Sequence, residues 1–389
     1  MRTFRMQVTT LAMVVGACSA SPSSATNEQQ GQGSASAQSS DGNAAAQAPA
    51  SGPPFTTAPV ADFSTPWAMT FLPGSGTATT NQALVTEKEG RLWLVDVSTG
   101  QRQAVTGVPS NIKVAGQGGL GDVVAHPDFA GNQRIYLSFV ESGSNGTSGA
   151  AVGHGRLILG QGEPRIEGFR VIWRQQPKVT GDGHFSHRIA FAPDGSMYVA
   201  SGDRQKMQPA QDRNSDLGKI IHMDAEGQRL GGRFHTFGHR NVLGLAFAPD
   251  GRLWAHEMGP QGGDEVNLIE RGNNYGWPQA SYGTHYDGRP IPDNHRSRGF
   301  AEPKVRWDPA ISPAGMIVYT GDLFPQWRGD ILMGALSGEA LIRVDVNGAD
   351  ARKGNQWPMN RIREVEQGPR GEVYLLEDGG RLLRLEPTR

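Results

Sequence analysis

The sequence predicts an all-β fold, a six-bladed β-propeller of four-stranded antiparallel blades, and three observations predict it. The first is a repeated unit. "FAPDGSMYVA" begins at Phe191 and "FAPDGRLWAH" begins at Phe247, 56 residues apart. Each reads as a short apolar strand, a Pro-Asp-Gly turn and a second strand with an aromatic residue. The second is composition: 53 of 389 residues are glycine, clustered with Pro, Asp and Asn between short β-prone runs, which is turn-rich usage. The third is that no stretch keeps an apolar stripe at helical spacing over three turns.

Taken in order, the chain opens with "MRTFRMQVTTLAMVVGACSA". Arg2 and Arg5, an apolar stretch from Val8 to Val15 and small residues around Cys18 predict an export signal over residues 1–17. That stretch is too short to span a membrane. Val15, Gly16, Ala17 and Cys18 resemble a bacterial lipoprotein processing box, which would make Cys18 a lipidated first residue; the alternative is an ordinary signal peptide cut nearby. Cys18 is the single cysteine, so the part beyond it needs no disulfide. Residues 18–54 are Ser, Ala, Gln, Gly and Asn with few aliphatic side chains, too little apolar area to offset ordering entropy. They predict a flexible tether.

From Phe55 to residue 389 the β theme recurs. Looser copies run over residues 71–96, 125–140, 327–346 and 368–386. A period near 56 divides this part into about six units, each long enough for four strands. Six such sheets around an axis make a propeller, whose loops converge at an axial mouth from distant points in sequence. Taken singly, each PDG is a hairpin turn.

Charge excludes some partners. Lys plus Arg (37) nearly balances Asp plus Glu (38), so no global field draws the protein to nucleic acid or anionic lipid. A charged ligand must be met locally.

Several stretches can carry chemistry. "GDGHFSHRIAFAPDGSMYVASGDR" sets His184 and His187 before one strand and Asp203 after the next. A histidine oriented by a carboxylate is a common way to take a proton from an alcohol; a satisfied structural imidazole is the alternative. HxxH at 184–187 and HTFGH at 235–239 have loose zinc spacing, without a helix to present either. Asp212, Asn214 and Asp216 alternate like the start of a calcium loop, but Met223 stands at the twelfth position, so they read as turn residues. In "MGPQGGDEVNL", Gly259 and Pro260 can leave carbonyls unpaired in a tight loop, and calcium accepts carbonyls readily; a structural turn is the alternative. Arg361 and Arg363 alternate on a strand and so face one way, as a two-pronged anion clamp or as solvated surface charge.

The ordered motifs "GQGGLGDVVAHPDF", "GHFSHRIAFAPDG", "SGDR", "GHRNVLGLAF", "HEMGPQGGDEVNLIERGNNYGWP", "SPAGMIVYTGDLFPQWRGDILMGAL" and "NRIREV" resemble the soluble aldose (glucose/sorbosone-type) sugar dehydrogenases that use pyrroloquinoline quinone (PQQ). The likeness runs from about Pro66 to the C-terminus. It implies a six-bladed propeller that oxidises aldoses at the anomeric carbon to lactones, with PQQ and calcium. It implies His184 as general base, Asp203 as its carboxylate partner, and Arg240 beside them. Gln117, Arg240, Asn241, Arg361 and Arg363 would surround the quinone. Gln117, Asp203 and Asp264 would lie at the sugar, and the Gly259 and Pro260 carbonyls on the calcium. PQQ carries three carboxylates, which accounts for local arginines on a nearly neutral protein. Two departures stand out: Ser337 replaces the family's usual lysine, for which Lys304 or Arg343 could compensate, and His187 replaces a small residue, where it could crowd the sugar or serve as a second imidazole. The competing expectations are a calcium-dependent lactonase-type hydrolase and a non-catalytic surface propeller that no longer holds PQQ tightly. An exported, tethered enzyme would pass electrons to a periplasmic or membrane acceptor.

Overall fold

The computed structural model describes residues 52–74, 80–160 and 162–388. The expected export segment and nearly all of the tether, Cys18 included, lie outside the described residues. The described residues form six four-stranded antiparallel sheets, the propeller that the repeat count predicts. The longest α-helix among them is the four-residue Phe129–Asn132.

In the first five sheets the first strand in chain order is the innermost, and in the sixth the second is. These inner strands are Pro66–Phe71, Leu120–Ala125, Ser186–Phe191, Val242–Phe247, Pro313–Val318 and Ile362–Gln367, and neighbouring ones contact each other around the axis. The first five blades then run outward in chain order. The sixth is closed differently: its outer strand is Phe55–Asp62, paired antiparallel with the chain's last strand from Phe55 opposite Pro387 to Asp62 opposite Arg381. The two ends of the fold are thus sealed in one sheet, and the ring has no free seam.

Second strands such as MYVAS, ILMGA and VYLLE are buried along their whole length. A sheet covered on both faces by neighbouring blades needs apolar residues on both. Between the first and second blades Leu84, Leu120, Leu137 and Phe139 interlock; between the fourth and fifth, Trp254, Val266, Met316 and Met333 do. Each such burial is worth about 1.5–3 kcal/mol, and only repeated blades supply a partner for every face.

All six inner strands slip register against their second strands close to where they begin. Such bulges re-aim side chains, and here polar groups reach the axis. Arg188 is the main one: its Nε donates to Leu243 O at 2.8 Å, its Nη1 reaches Asp122 at 3.5 Å and bonds Glu364, and its guanidinium lies 4.1 Å from the Trp67 ring centre. One side chain therefore joins five blades. Burial pushes the Glu364 carboxyl up to about 7 in spite of Arg188. Removing the guanidinium would strand two buried carboxylates, at a cost of about 3–5 kcal/mol.

Two imidazoles pack beside it. His187 is 2% exposed, stacks on Trp67 at 4.9 Å and meets Ser138 Oγ through Nδ1 at 2.7 Å. This corrects the expectation that His187 crowds the sugar or serves as a second imidazole, because the bulge turns it into the core. His256 is fully buried with Nε2 2.5 Å from Ala314 O. Burial lowers both from 6.5 to about 3. Gly121 makes room for the first: a Cβ there would lie 1.9 Å from His187 Cε1.

Two predictions follow from this packing. Gly121→Ala should lower stability by about 3 kcal/mol by overpacking, whereas Gly251→Ala, with φ +85° and open space around it, should cost only about 1 kcal/mol; chemical denaturation of the two variants checks the difference. The unfolded chain protonates His187 and His256 before the folded one does. Their contribution is therefore intact above about pH 6.5 and drains away as pH falls toward 3. His187→Gln should flatten that loss in a pH series of unfolding free energies, and an unchanged slope would contradict it.

Candidate active site

Antiparallel blades sort the loops. The approach to each inner strand and the turn from second to third strand fall at one end; the turn from inner to second strand falls at the other. Both PDG turns, Pro193 to Gly195 and Pro249 to Gly251, therefore lie at the far end. The residues that the resemblance assigns to the site, and Ser337, all lie at the near end, either before an inner strand (Gln117, His184, Arg240, Asn241, Arg361), just inside one (Arg363), or at the turn from second to third strand (Asp203, Gly259, Pro260, Asp264, Ser337), whereas His235 lies at the far end.

A chain of contacts joins them across five blades. Gln117 Oε1 accepts from His184 N at 2.7 Å, and His184 Nδ1 lies 2.7 Å from Asp203 Oδ1. Asp203 N donates to Arg240 O at 2.9 Å, and Ser186 Oγ donates to Asn241 Oδ1 at 3.2 Å. Arg240 Nη1 donates to Met258 O at 2.9 Å and Gly259 O at 2.6 Å. Gly259 N donates to Asp264 Oδ1 at 2.8 Å, and Asp264 Oδ2 accepts from Ile311 N and Ser312 N at 2.7 Å. Ser312 and Ser337 share a hydroxyl bond of 2.7 Å. Arg361 Nη1 then reaches Leu336 O at 3.2 Å, and Arg361 and Arg363 both bind Asp378, at 3.0 and 2.7 Å.

The central pair is ordered for proton transfer. Asp203 is fully buried and accepts from four donors: His184 Nδ1 and Trp277 Nε1 at 2.7 Å, Gln205 N at 2.8 Å and Met207 N at 3.2 Å. Burial raises its carboxyl, but the bonds from His184 and Trp277 and the attraction to His184 outweigh it and bring it below the usual value. Burial lowers the His184 imidazole, the Asp203 bond raises it and the Arg240 charge lowers it; the balance is downward. A neutral imidazole whose Nδ1–H is held by an ionised carboxylate leaves Nε2 as a lone-pair acceptor. That is the state a general base requires.

Beside it stands Arg240, 4% exposed, over the Trp277 ring at 5.3 Å, with Nη2 donating to Tyr286 Oη at 3.1 Å. Its Nε is buried without a partner among the described residues. Tyr286 is 76% exposed at this mouth.

Some expectations change. The Gly259 carbonyl is not unpaired, since Arg240 holds it; the Pro260 carbonyl accepts no bond among the described residues. Asp203 at 0% and Asp264 at 1% exposure present no carboxylate surface to a sugar, against the expectation that they lie at it. Arg361 and Arg363 do face one way, but both already share one carboxylate, whose acidity they increase against the effect of burial. Lys304 pairs with Asp350 at 3.3 Å and Arg343 with Asp345 at 2.7 Å, so neither replaces a lysine at Ser337. His235 packs against Tyr198, while His239 binds Glu257 at 2.9 Å. Asp212 caps its own turn through Asn214 N, and Asp216 pairs with Arg229, as turn residues should.

Residues 63–384 match the family model described as Glucose / Sorbosone dehydrogenase. The chain belongs to that family. It is 36% identical over 341 residues to the aldose sugar dehydrogenase YliI of Escherichia coli, covering 83% of this chain and 90% of that one. The crystal structure of the soluble E. coli aldose sugar dehydrogenase in its apo-form superposes with a TM-score of 0.80 at 34% identity, over 86% of this chain and 100% of that one. The PQQ-bound form of the aldose sugar dehydrogenase of Streptomyces coelicolor superposes with a TM-score of 0.71 at 27% identity, over 87% and 99%. Membership in this family makes the protein an oxidoreductase.

Four site residues receive no role from the motifs: Trp277 and Arg204, which lie inside them, and Tyr286 and Asp378, which lie outside. Asp378 follows a legible rule, since it lies at the turn from second to third strand of the last blade, as Asp203 does in the third. Trp277 and Tyr286 come from the long connection between Asp264–Ile269 and Val305–Trp307, which carries no repeat signal.

Asp203 raises the His184 pKa through both its bond and its charge. Asp203→Asn should therefore move the His184 titration midpoint further down, read by imidazole NMR; a rise would contradict this account of the pair.

Proposed function

We propose that the protein oxidises aldose sugars at the anomeric carbon to lactones, using PQQ and calcium, with His184 as general base. The observation that carries this reading is the neutral, Asp203-held His184 beside a buried Arg240 whose Nε has no partner among the described residues. Such a pocket suits an alcohol losing a proton next to an anionic acceptor.

The residues suit PQQ. Arg240, Asn241, Gln117, Arg361 and Arg363 would meet its carboxylates and ring oxygens, the Arg240 Nε supplying a donor that is otherwise unused. Asp378 cancels one charge of the Arg361–Arg363 pair, so that pair offers one net positive charge. Calcium would take the Pro260 carbonyl and share the Gly259 carbonyl with Arg240, which would turn toward the anion. When bound, PQQ supplies a two-electron acceptor and calcium polarises its reactive carbonyl.

The chain's own part is proton handling and orientation. His184 Nε2 takes the proton of the anomeric hydroxyl as the C1 hydrogen leaves with its electron pair. Asp203 keeps Nδ1–H in place and stabilises the imidazolium that forms. Trp277 and the 205–207 backbone fix Asp203 in turn. Gln117, tied to the His184 backbone, keeps its amide NH₂ available to a sugar hydroxyl. The reading extends to location: an exported protein tethered through Cys18, giving electrons to a periplasmic or membrane acceptor.

Dye-linked oxidation of an aldose panel should require both PQQ and calcium and fall by about 10²-fold or more in His184→Ala. No oxidation, with no PQQ binding by titration in either wild type or Ser337→Lys, would instead favour a non-catalytic propeller, whereas a large gain in PQQ affinity in Ser337→Lys would mean a weakened cofactor site.

A further inference from the structure

The backbone is most strained where the base sits. His184, Ser186 and His187 have φ of 48°, 59° and 58°, and Arg204, Gln205 and Met207 have 57°, 58° and 59°. Left-handed conformations are costly for residues with a Cβ and persist only where surroundings over-determine them. These two segments face each other across the His184–Asp203 bond.

Arg204 lies at their junction. It is fully buried, yet has no carboxylate within ion-pair distance among the described residues. Its donors go to the 181–183 loop and to the start of the strand Ser148–Ile158: Nε to Gly183 O at 3.0 Å, Nη1 to Ser148 O at 2.5 Å, Nη2 to Ser148 Oγ at 3.2 Å, and Nη2 also to Gly181 O. The guanidinium lies 3.7 Å from the Phe185 ring centre. It therefore grips the residues on both sides of His184. A buried cation whose hydrogen bonds all go to carbonyls and one hydroxyl, with the Asp182 and Asp203 charges acting on it only from beyond ion-pair distance, is an expensive way to fill space, and an apolar side chain would serve packing alone.

We propose that Arg204 is the positioning residue of the His184–Asp203 pair, its fork holding residues 181–185 in the conformation that keeps His184 Nδ1 on Asp203 and Nε2 toward the mouth. This deepens the reading of His184 as the base and rests on it for its catalytic consequence. Lysine cannot substitute, because one ammonium cannot span three carbonyls in a fixed plane. The Arg204 charge also works against an imidazolium at His184, in the same sense as Arg240.

The test uses the full-length apo-protein labelled with ¹⁵N-histidine, in wild type, Arg204→Lys and Arg204→Gln, with His184→Gln to assign the signal. The wild type should show one His184 tautomer with a slowly exchanging Nδ1 proton. Both variants should show a mixed tautomer and fast exchange. Loaded with PQQ and calcium, both should keep cofactor affinity within about threefold while kcat falls about tenfold or more, as expected of a misplaced base. An unchanged His184 signal in Arg204→Lys overturns the proposal, even if Arg204→Gln fails to fold. If His184→Ala leaves sugar oxidation intact, the functional reading fails instead, and the apo spectra still decide what Arg204 holds.

Discussion

The site depends on one geometric constraint: antiparallel blades whose ring is closed by pairing the strand Phe55–Asp62 with Arg381–Pro387. Closure fixes where each blade begins around the axis, and antiparallel order sends half of the loops to each end. Five blades then contribute to one mouth although their residues span positions 117 to 378. Without the seam the sixth blade would lose its outer strand, and Arg361, Arg363 and Asp378 would lose the sheet that aims them. Inside the ring, Arg188 adds a polar tie between blades where apolar packing cannot continue to the axis.

Electrostatics at the mouth follows from burial more than from net charge. The protein is close to neutral, yet His184 lies near two guanidinium groups and one buried carboxylate. Burial and the arginines keep the imidazole uncharged, while Asp203, with four donors, keeps its negative charge. A single hydrogen bond between an anion and a neutral ring is oriented without being locked as an ion pair, which leaves the proton affinity of Nε2 available. Arg240 completes the balance, held by carbonyls and by Tyr286 and carrying one donor to spare.

How far a residue could be read in advance depended on whether it followed the repeat. His184, Asp203, Arg240 and Asn241 flank repeated strands, so the period itself placed them at one end. Arg361 and Arg363 face one way as alternation requires, but their shared partner Asp378 sits at the turn from second to third strand, a position legible from blade order and not from any motif. His187 went astray for a physical reason: its place beside the presumed base, where the family has a small residue, suggested a second site imidazole, whereas the register shift in Ser186–Phe191 rotates it onto Trp67. The unpaired Gly259 carbonyl failed likewise, because its partner is a side chain from the preceding inner strand's approach.

By itself the sequence determined the class of fold, the number of blades and the end of the barrel where chemistry gathers, since these depend on local periodicity and turn chemistry carried by every blade. Tertiary structure decided which side chains face the mouth and in what charge state. Bulges, backbone strain around His184, the Arg204 grip and the depth of Asp203 and Asp264 arise from contacts between residues tens to hundreds of positions apart. No window along the chain contains those distances, and burial, which sets each proton affinity, exists only once the ring is closed.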